Sequence, residues 1–151
     1  MPPVYWAGRA QPADDPLAYA VLSHPDFDPD HEVLLAPAPG ITPAPGSSGR
    51  VSIVESRADR AAFDTDADGP GFLVVLGAYD PGWRAAVDGR SAPVLRANVL
   101  FQAVAVPGGR HRVELRYRPP VVAWGLGLSA AGALLLATLL LSTVRPISIV
   151  A

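Results

Sequence analysis

The sequence predicts a mainly β protein: a small β-sandwich-like domain with a short N-terminal helix, followed by one C-terminal transmembrane helix. Three observations carry that prediction. Short apolar or alternating runs recur between Gly71 and Pro120, separated by Asp-Pro-Gly, Asp-Gly and Pro-Gly-Gly turns, which is the spacing of strands and hairpins. His111–Arg118 alternates, with Val113, Leu115 and Tyr117 on one face and Arg112, Glu114, Arg116 and Arg118 on the other, as a strand with one solvated face does. Val121–Val144 then carries no charge; as a helix it is roughly 36 Å long against a hydrocarbon core of about 30 Å.

Taken in order, Val4–Ala7 is expected as a short strand. Asp15 and Pro16 open a two-turn helix over Pro16–Ser23, Asp as N-cap and Pro at the first helical position, with Leu17, Ala20 and Val21 on its apolar face. His24-Pro25 ends it, since the residue before Pro disfavours the α region. Glu32–Ala36 reads as a strand, and the Pro/Gly/Ser run to Gly49 as an exposed loop without periodicity. Strand character resumes over Arg50–Ser56 and again over Ala61–Asp64. Gly71–Leu76 is continuously apolar, as in a strand buried on both faces. Asp80-Pro81-Gly82 turns the chain into Trp83–Val87, and Asp88-Gly89 is the strongest hairpin signal present. Leu100–Val106 and His111–Arg118 complete the strands. The organisation is therefore an N-terminal strand and helix segment packing on the β domain (1–36), a loop (37–49), the β-sandwich-like domain (50–120), the span (121–144) and a short tail (145–151).

Composition narrows the function. The chain has 151 residues, enough for one modest core. Its net charge of −2 and lack of a basic stripe argue against a nucleic-acid partner. All 12 basic residues are Arg, which with abundant Ala, Pro, Gly and Asp points to a high-GC genome more than to a binding role. Cysteine is absent, which excludes disulfides and thiolate metal sites. The first residues, MPPVYWAGRAQPADDP, contain no apolar h-region, so no signal peptide is expected there. The eight Leu and three Val of Val121–Val144 contribute on the order of −3 to −7 kcal/mol to insertion.

Candidate chemistry is sparse. Asp64, Asp66 and Asp68 alternate ahead of Gly69, like the first half of a calcium loop, but Val75 stands where the twelfth-position Glu belongs. A solvated acidic turn is the preferred reading and calcium the alternative. Asp26, Asp28, Asp30, His31 and Glu32 form a second acidic cluster, read as turn formers ahead of a metal site; His24 and His111 read as isolated surface or turn residues. Trp83 is a core residue first and a sugar-stacking platform second. Arg84, Arg90 and Arg96 would suit lipid or substrate phosphates, although a solvated sheet face explains them more simply; Trp83, Arg84 and Arg96 are kept as contact candidates. No nucleophile elbow surrounds any Ser, no catalytic residue is assigned and no cofactor is expected. Gly125, Ser129, Ala133 and Ala137 recur every four residues, a small-residue face that lets another helix approach.

The segments PGFLVVLGAYDPGWRAAVDG, APVLRANVLFQAVAVPGGRHRVELRYRPP and GLGLS resemble, in order, the C-terminal end of YfhO-type bacterial membrane proteins, which are related to the GT-C class of lipid-linked sugar transferases. PVYWAGRA and FDPDHEVLL fit the same family more loosely. The resemblance implies the C-terminal accessory domain and last membrane helix of a protein that glycosylates cell-envelope polymers from a lipid-linked sugar. Its partners would be the lipid bilayer, other transmembrane helices, and a lipid-linked sugar or envelope polymer. The family's catalytic carboxylate belongs to an early loop with no counterpart among these residues. The alternative reading is a stand-alone, tail-anchored interaction module.

Location is expected to be the cell membrane, crossed once by this chain. Two arguments about orientation disagree. Arg112, Arg116 and Arg118 precede the span and only Arg145 follows it, so a bare count places the β domain in the cytoplasm. The resemblance places it outside, and is preferred because earlier helices would set the orientation of the last one.

Overall fold

The computed structural model describes residues 4–13, 15–36 and 46–143. The chain forms two units, Met1–Arg118 and Pro119–Ala151.

The first unit is mainly β. Strands β1 (Val4–Ala7), β2 (Arg9–Pro12), β3 (Glu32–Ala36), β6 (Gly71–Val75), β9 (Leu95–Ala97) and β10 (Phe101–Val106) make one sheet, in the order β1-β6-β10-β9-β3-β2. Strands β4 (Gly49–Ser56), β5 (Arg60–Ala67), β7 (Trp83–Val87), β8 (Arg90–Ala92) and β11 (Gly109–Tyr117) make the other, in the order β4-β5-β11-β7-β8.

The first sheet curls on itself. β1 and β2 lie at opposite ends of its strand order, yet only Gly8 separates them in sequence. One bent stretch of chain thus supplies both edge strands. The curl encloses an apolar cluster that includes Phe72, Val74, Val33, Leu35 and Ala103, all fully buried. Tyr5 reaches across from β1: its hydroxyl donates to the Glu32 carbonyl at 3.3 Å and accepts from Asn98 Nδ2 at 3.0 Å. Burial raises the Tyr5 pKa above its ordinary 10.0, which keeps the phenol a donor. The turn after β9 is strained, because the β-branched Val99 sits at φ 70 in a γ-turn closed by Leu100 N–H to the Asn98 carbonyl.

The other face of β6 and β10 packs on the second sheet. Trp6, Leu73, Val104 and Val106 meet Phe63, Val113 and Leu115 in the main core. This explains the continuous apolar run of β6, whose five residues are buried on both faces. Trp6 lies against Gly49 and Gly71: an ideal Cβ at either glycine would sit within 2.6 Å of its ring.

Several elements differ from the expectation. β2, β8 and β9 were not foreseen; each is three or four residues long, too short to show a period. β5 extends through the acidic run, expected to be a turn, because Phe63, Thr65 and Ala67 point inward while Asp64 and Asp66 point to solvent. Helix α1 (Asp15–Leu22) packs through Ala18, Val21 and Leu22, whereas Leu17 is exposed. The expected face of Leu17, Ala20 and Val21 is thus corrected by one residue, a 100° rotation that hydrophobicity alone resolves poorly in two turns. Leu100 lies in the turn before β10, not in the strand, and is exposed. Most of the expected 37–49 loop lies outside the described residues.

The second unit holds α2 (Pro120–Thr143), whose 19-residue stretch Trp124–Ser142 is long and apolar enough to cross a membrane. Two of its hydroxyls, those of Thr138 and Ser142, donate to the carbonyls of Leu135 and Leu139, at 2.7 and 2.8 Å, so neither of these side chains is unpaired in an apolar helix. Val144, expected as the last residue of the span, lies outside the described residues.

Candidate functional site

The second sheet gathers most of the candidate residues, and it does so around β11. At one end of the β7–β11 pair, Asp88 and Gly89 form the hairpin turn with φ of 49 and 77, the left-handed pair that a type I′ turn requires. Asp88 N–H donates to the Arg112 carbonyl, and Arg112 N–H donates back to Asp88 Oδ1, both at 2.8 Å. The carboxylate therefore substitutes for a backbone carbonyl and carries the β7–β11 ladder one rung into the turn. Its second oxygen faces His111 Nδ1 at 2.6 Å, while His111 Nε2 faces the Gly108 carbonyl at 3.1 Å. Both ring nitrogens thus face acceptors, and only the imidazolium donates to both. Asp88 raises the His111 pKa above 6.5. The Arg112 N–H, and then His111, lower that of Asp88 below 3.8.

At the other end, Trp83 stacks on Tyr117, with ring centroids 5.2 Å apart and planes at 49°, the tilted geometry that aromatic pairs favour. The turn before Trp83 is self-capped: Gly82 N–H donates to Asp80 Oδ1 at 2.6 Å, and Arg118 N–H donates to the Gly82 carbonyl at 2.8 Å. The two ends of the strand pair are therefore closed by an ion pair and by an aromatic pair.

The solvent face of this sheet is a charged ladder. Asp66 lies opposite both Arg50 and Arg110, and Asp64 opposite Ser52 and Arg112. Arg110 Nε donates to Asp66 at 3.0 Å and Arg112 to Asp64 at 2.9 Å. A shallow groove of about 370 Å³ runs over these residues. Asp68, beyond the strand, accepts the Ser48 N–H at 2.7 Å. The structure thus distributes the calcium candidates Asp64, Asp66 and Asp68 along an extended strand, each with a donor of its own.

The second acidic cluster is organised by Asp28, which accepts from Asp30 N–H at 3.1 Å and faces His31 Nδ1 at 2.9 Å. Glu32 is buried against Arg9, 3.2 Å away. His24 Nδ1 lies 3.5 Å from the exposed Asp26 carboxylate. Among the described residues no three His, Asp or Glu side chains come together as a metal would need.

Trp83 and Arg84 are neighbours on β7, but Arg96 lies on β9 of the other sheet, so the three contact candidates do not form one site. Arg84 donates to the carbonyls of Pro81 and Trp83, at 2.7 and 3.1 Å. It lines a second groove, of about 360 Å³, with Arg116 and Arg118. Of the helix-face residues, Ser129, Ala133 and Ala137 are exposed, and a Cβ added to Gly125 meets no atom within 4 Å.

A family model described as "Bacterial membrane protein YfhO" matches residues 49–129, just over half of the chain. The chain belongs to the YfhO family. No curated protein and no solved structure matched it. The YfhO match begins at the first residue of β4 and continues into α2. It includes all four residues that close the β7–β11 pair, Trp83, Asp88, His111 and Tyr117. The looser likeness around Val4–Ala10 and Phe27–Leu35 falls outside the matched range. The ladder was the feature least visible in the sequence: Asp64 and Arg112 are 48 residues apart, and only the β5–β11 register unites them.

Proposed function

We propose that this chain supplies the C-terminal, non-catalytic β domain and last membrane helix of a YfhO protein that glycosylates cell-envelope polymers from a lipid-linked sugar. The β domain lies outside the cytoplasm, beside an active site built by other transmembrane helices. The observation that carries this reading is the use made of the family-matched residues. Trp83, Asp88, His111 and Tyr117 are engaged with one another across β7 and β11, so the residues of the turn motifs serve to hold a strand pair. The carboxylates of the solvent face are likewise engaged with arginines.

In this reading α2 docks on neighbouring helices through Gly125, Ser129, Ala133 and Ala137. Arg84 meets an external ligand, Trp83 acts through the strand pair, and Arg96 acts from the other sheet.

Deletion of the chain from its host tests the proposal. Sugar carried by envelope polymers should fall, and should return with the wild-type chain. Unaltered polymer glycosylation would support the tail-anchored interaction module instead.

A further inference from the structure

Three arginines stand side by side across the second sheet. The register places Arg116 of β11 directly opposite Arg60 of β5 and Arg84 of β7. Like charges directly opposed on neighbouring strands destabilise a sheet. Six residues away along β11, the same face carries more carboxylate: Asp66 pairs with Arg110 and lies opposite Arg50, and Asp64 pairs with Arg112. Three arginines thus face two carboxylates at that end, against one carboxylate at the other.

Compensation at the arginine end is incomplete. Arg60 has Glu55 at 3.9 Å, and Arg116 has Glu114 at 2.9 Å. Among the described residues, neither Arg84 nor Arg118 forms an ion pair. The two carbonyls that accept from Arg84 orient its guanidinium without neutralising it. Arg84, Arg116 and Arg118 line one groove of about 360 Å³, over a floor containing Ala86 and Gly89, with Glu114 as its sole carboxylate. Three guanidiniums against one carboxylate leave a charge of +2.

The groove includes Arg118, the last residue of the first unit. Arg118 is followed by Pro119 and then by Pro120, the first residue of α2, so the uncompensated end of the sheet is the one from which the chain leaves for its membrane span. We propose that the Arg84–Arg116–Arg118 groove binds the phosphate of an anionic phospholipid headgroup. Guanidiniums suit this ligand because their paired N–H groups match phosphate oxygens, and a short-range juxtamembrane cationic cluster gains most from an anionic surface.

The test uses the full chain in neutral maltoside micelles. Thermal unfolding of the β domain is followed by circular dichroism while short-chain phosphatidylglycerol, short-chain phosphatidylcholine or inorganic phosphate is added. Phosphatidylglycerol should raise the wild-type midpoint by binding the folded state, and the other two should do so far less. Replacing Arg84, Arg116 and Arg118 by Gln should weaken the apparent phosphatidylglycerol affinity about a hundredfold, at about fivefold per arginine. Arg50→Gln with Arg110→Gln, at the Asp66 end, should leave it nearly unchanged. If the triple variant does not fold, Arg118→Gln, outside any strand, is read alone for its fivefold loss. Equal lipid response in wild type and the arginine variants overturns the proposal. So does an equal response to inorganic phosphate, which would make the groove a site for a soluble anion.

Discussion

Asp88 and His111, 23 residues apart, meet at 2.6 Å and tie the β7–β8 turn to the start of β11. The link has a definite pH signature. His111 has a folded-state pKa above 6.5, mainly through its bond to Asp88. Its contribution to stability is therefore full below that ordinary value and is lost as pH rises through the folded one. Asp88 is held below 3.8, first by the Arg112 N–H and then by His111. Its contribution is present above 3.8 and is lost as pH falls through its folded value.

The pair therefore contributes most between about pH 4 and pH 6.5. Thermal midpoints of wild type should decline from that window toward alkaline pH, and His111→Gln should flatten the decline. Asp88→Asn keeps a residue that tolerates φ > 0 while removing the charge, and should flatten it as well. An alkaline slope identical in all three proteins would contradict the pairing.

The close approach of Trp6 to Gly71 predicts a packing effect. A Cβ at Gly71 would lie 2.6 Å from the Trp6 ring and 2.9 Å from the Ala7 carbonyl, so backbone must shift to admit one. Gly71→Val should destabilise the β domain by about 1–3 kcal/mol through overpacking. Phe63→Ala, at a fully buried position, should cost about 3–5 kcal/mol through the cavity it leaves. Denaturant unfolding measures both; an unchanged midpoint for Gly71→Val would mean that Trp6 is not held against that glycine.

These elements show which parts of the fold sequence reasoning reaches. The apolar run of β6, the Asp88-Gly89 turn and the uncharged α2 are local signals, each complete within a few residues. β2 is not, because Arg9–Pro12 is polar and becomes a strand only by continuing β1 past Gly8 onto the edge of β3. The acidic stretch of β5 reads as a turn because Asp is a poor strand former, and its strand character depends on Arg110 and Arg112 arriving opposite it. His111 reads as isolated for the same reason. Its partner comes from the preceding β7–β8 hairpin and is identified by register, which no local pattern specifies.

The helix face gives a separate prediction. A Cβ added at Gly125 meets nothing within 4 Å, so the position has room for the close approach of a partner helix. Gly125→Leu with Ala133→Leu should weaken association with neighbouring helices while leaving membrane insertion intact. A membrane two-hybrid assay reads the first property and carbonate extraction the second. Undiminished association would exclude this face as the contact.

Orientation is separable from both. With the β domain outside the cytoplasm, protease added to intact cells should cut it and leave a fragment containing α2. Protection in intact cells, with digestion only after lysis, would place the domain inside and favour the arginine count over the family resemblance.

The central claim is that this chain supports sugar transfer without performing it. The most direct measurement incubates the purified chain, in detergent and in liposomes, with a radiolabelled lipid-linked sugar and an envelope-polymer acceptor. No label should move to the acceptor, because the proposal assigns the positioned base and the stabilised phosphate leaving group to other transmembrane helices. Turnover that disappears with Asp66→Asn or Asp28→Asn would contradict the account and make this β domain a catalytic one.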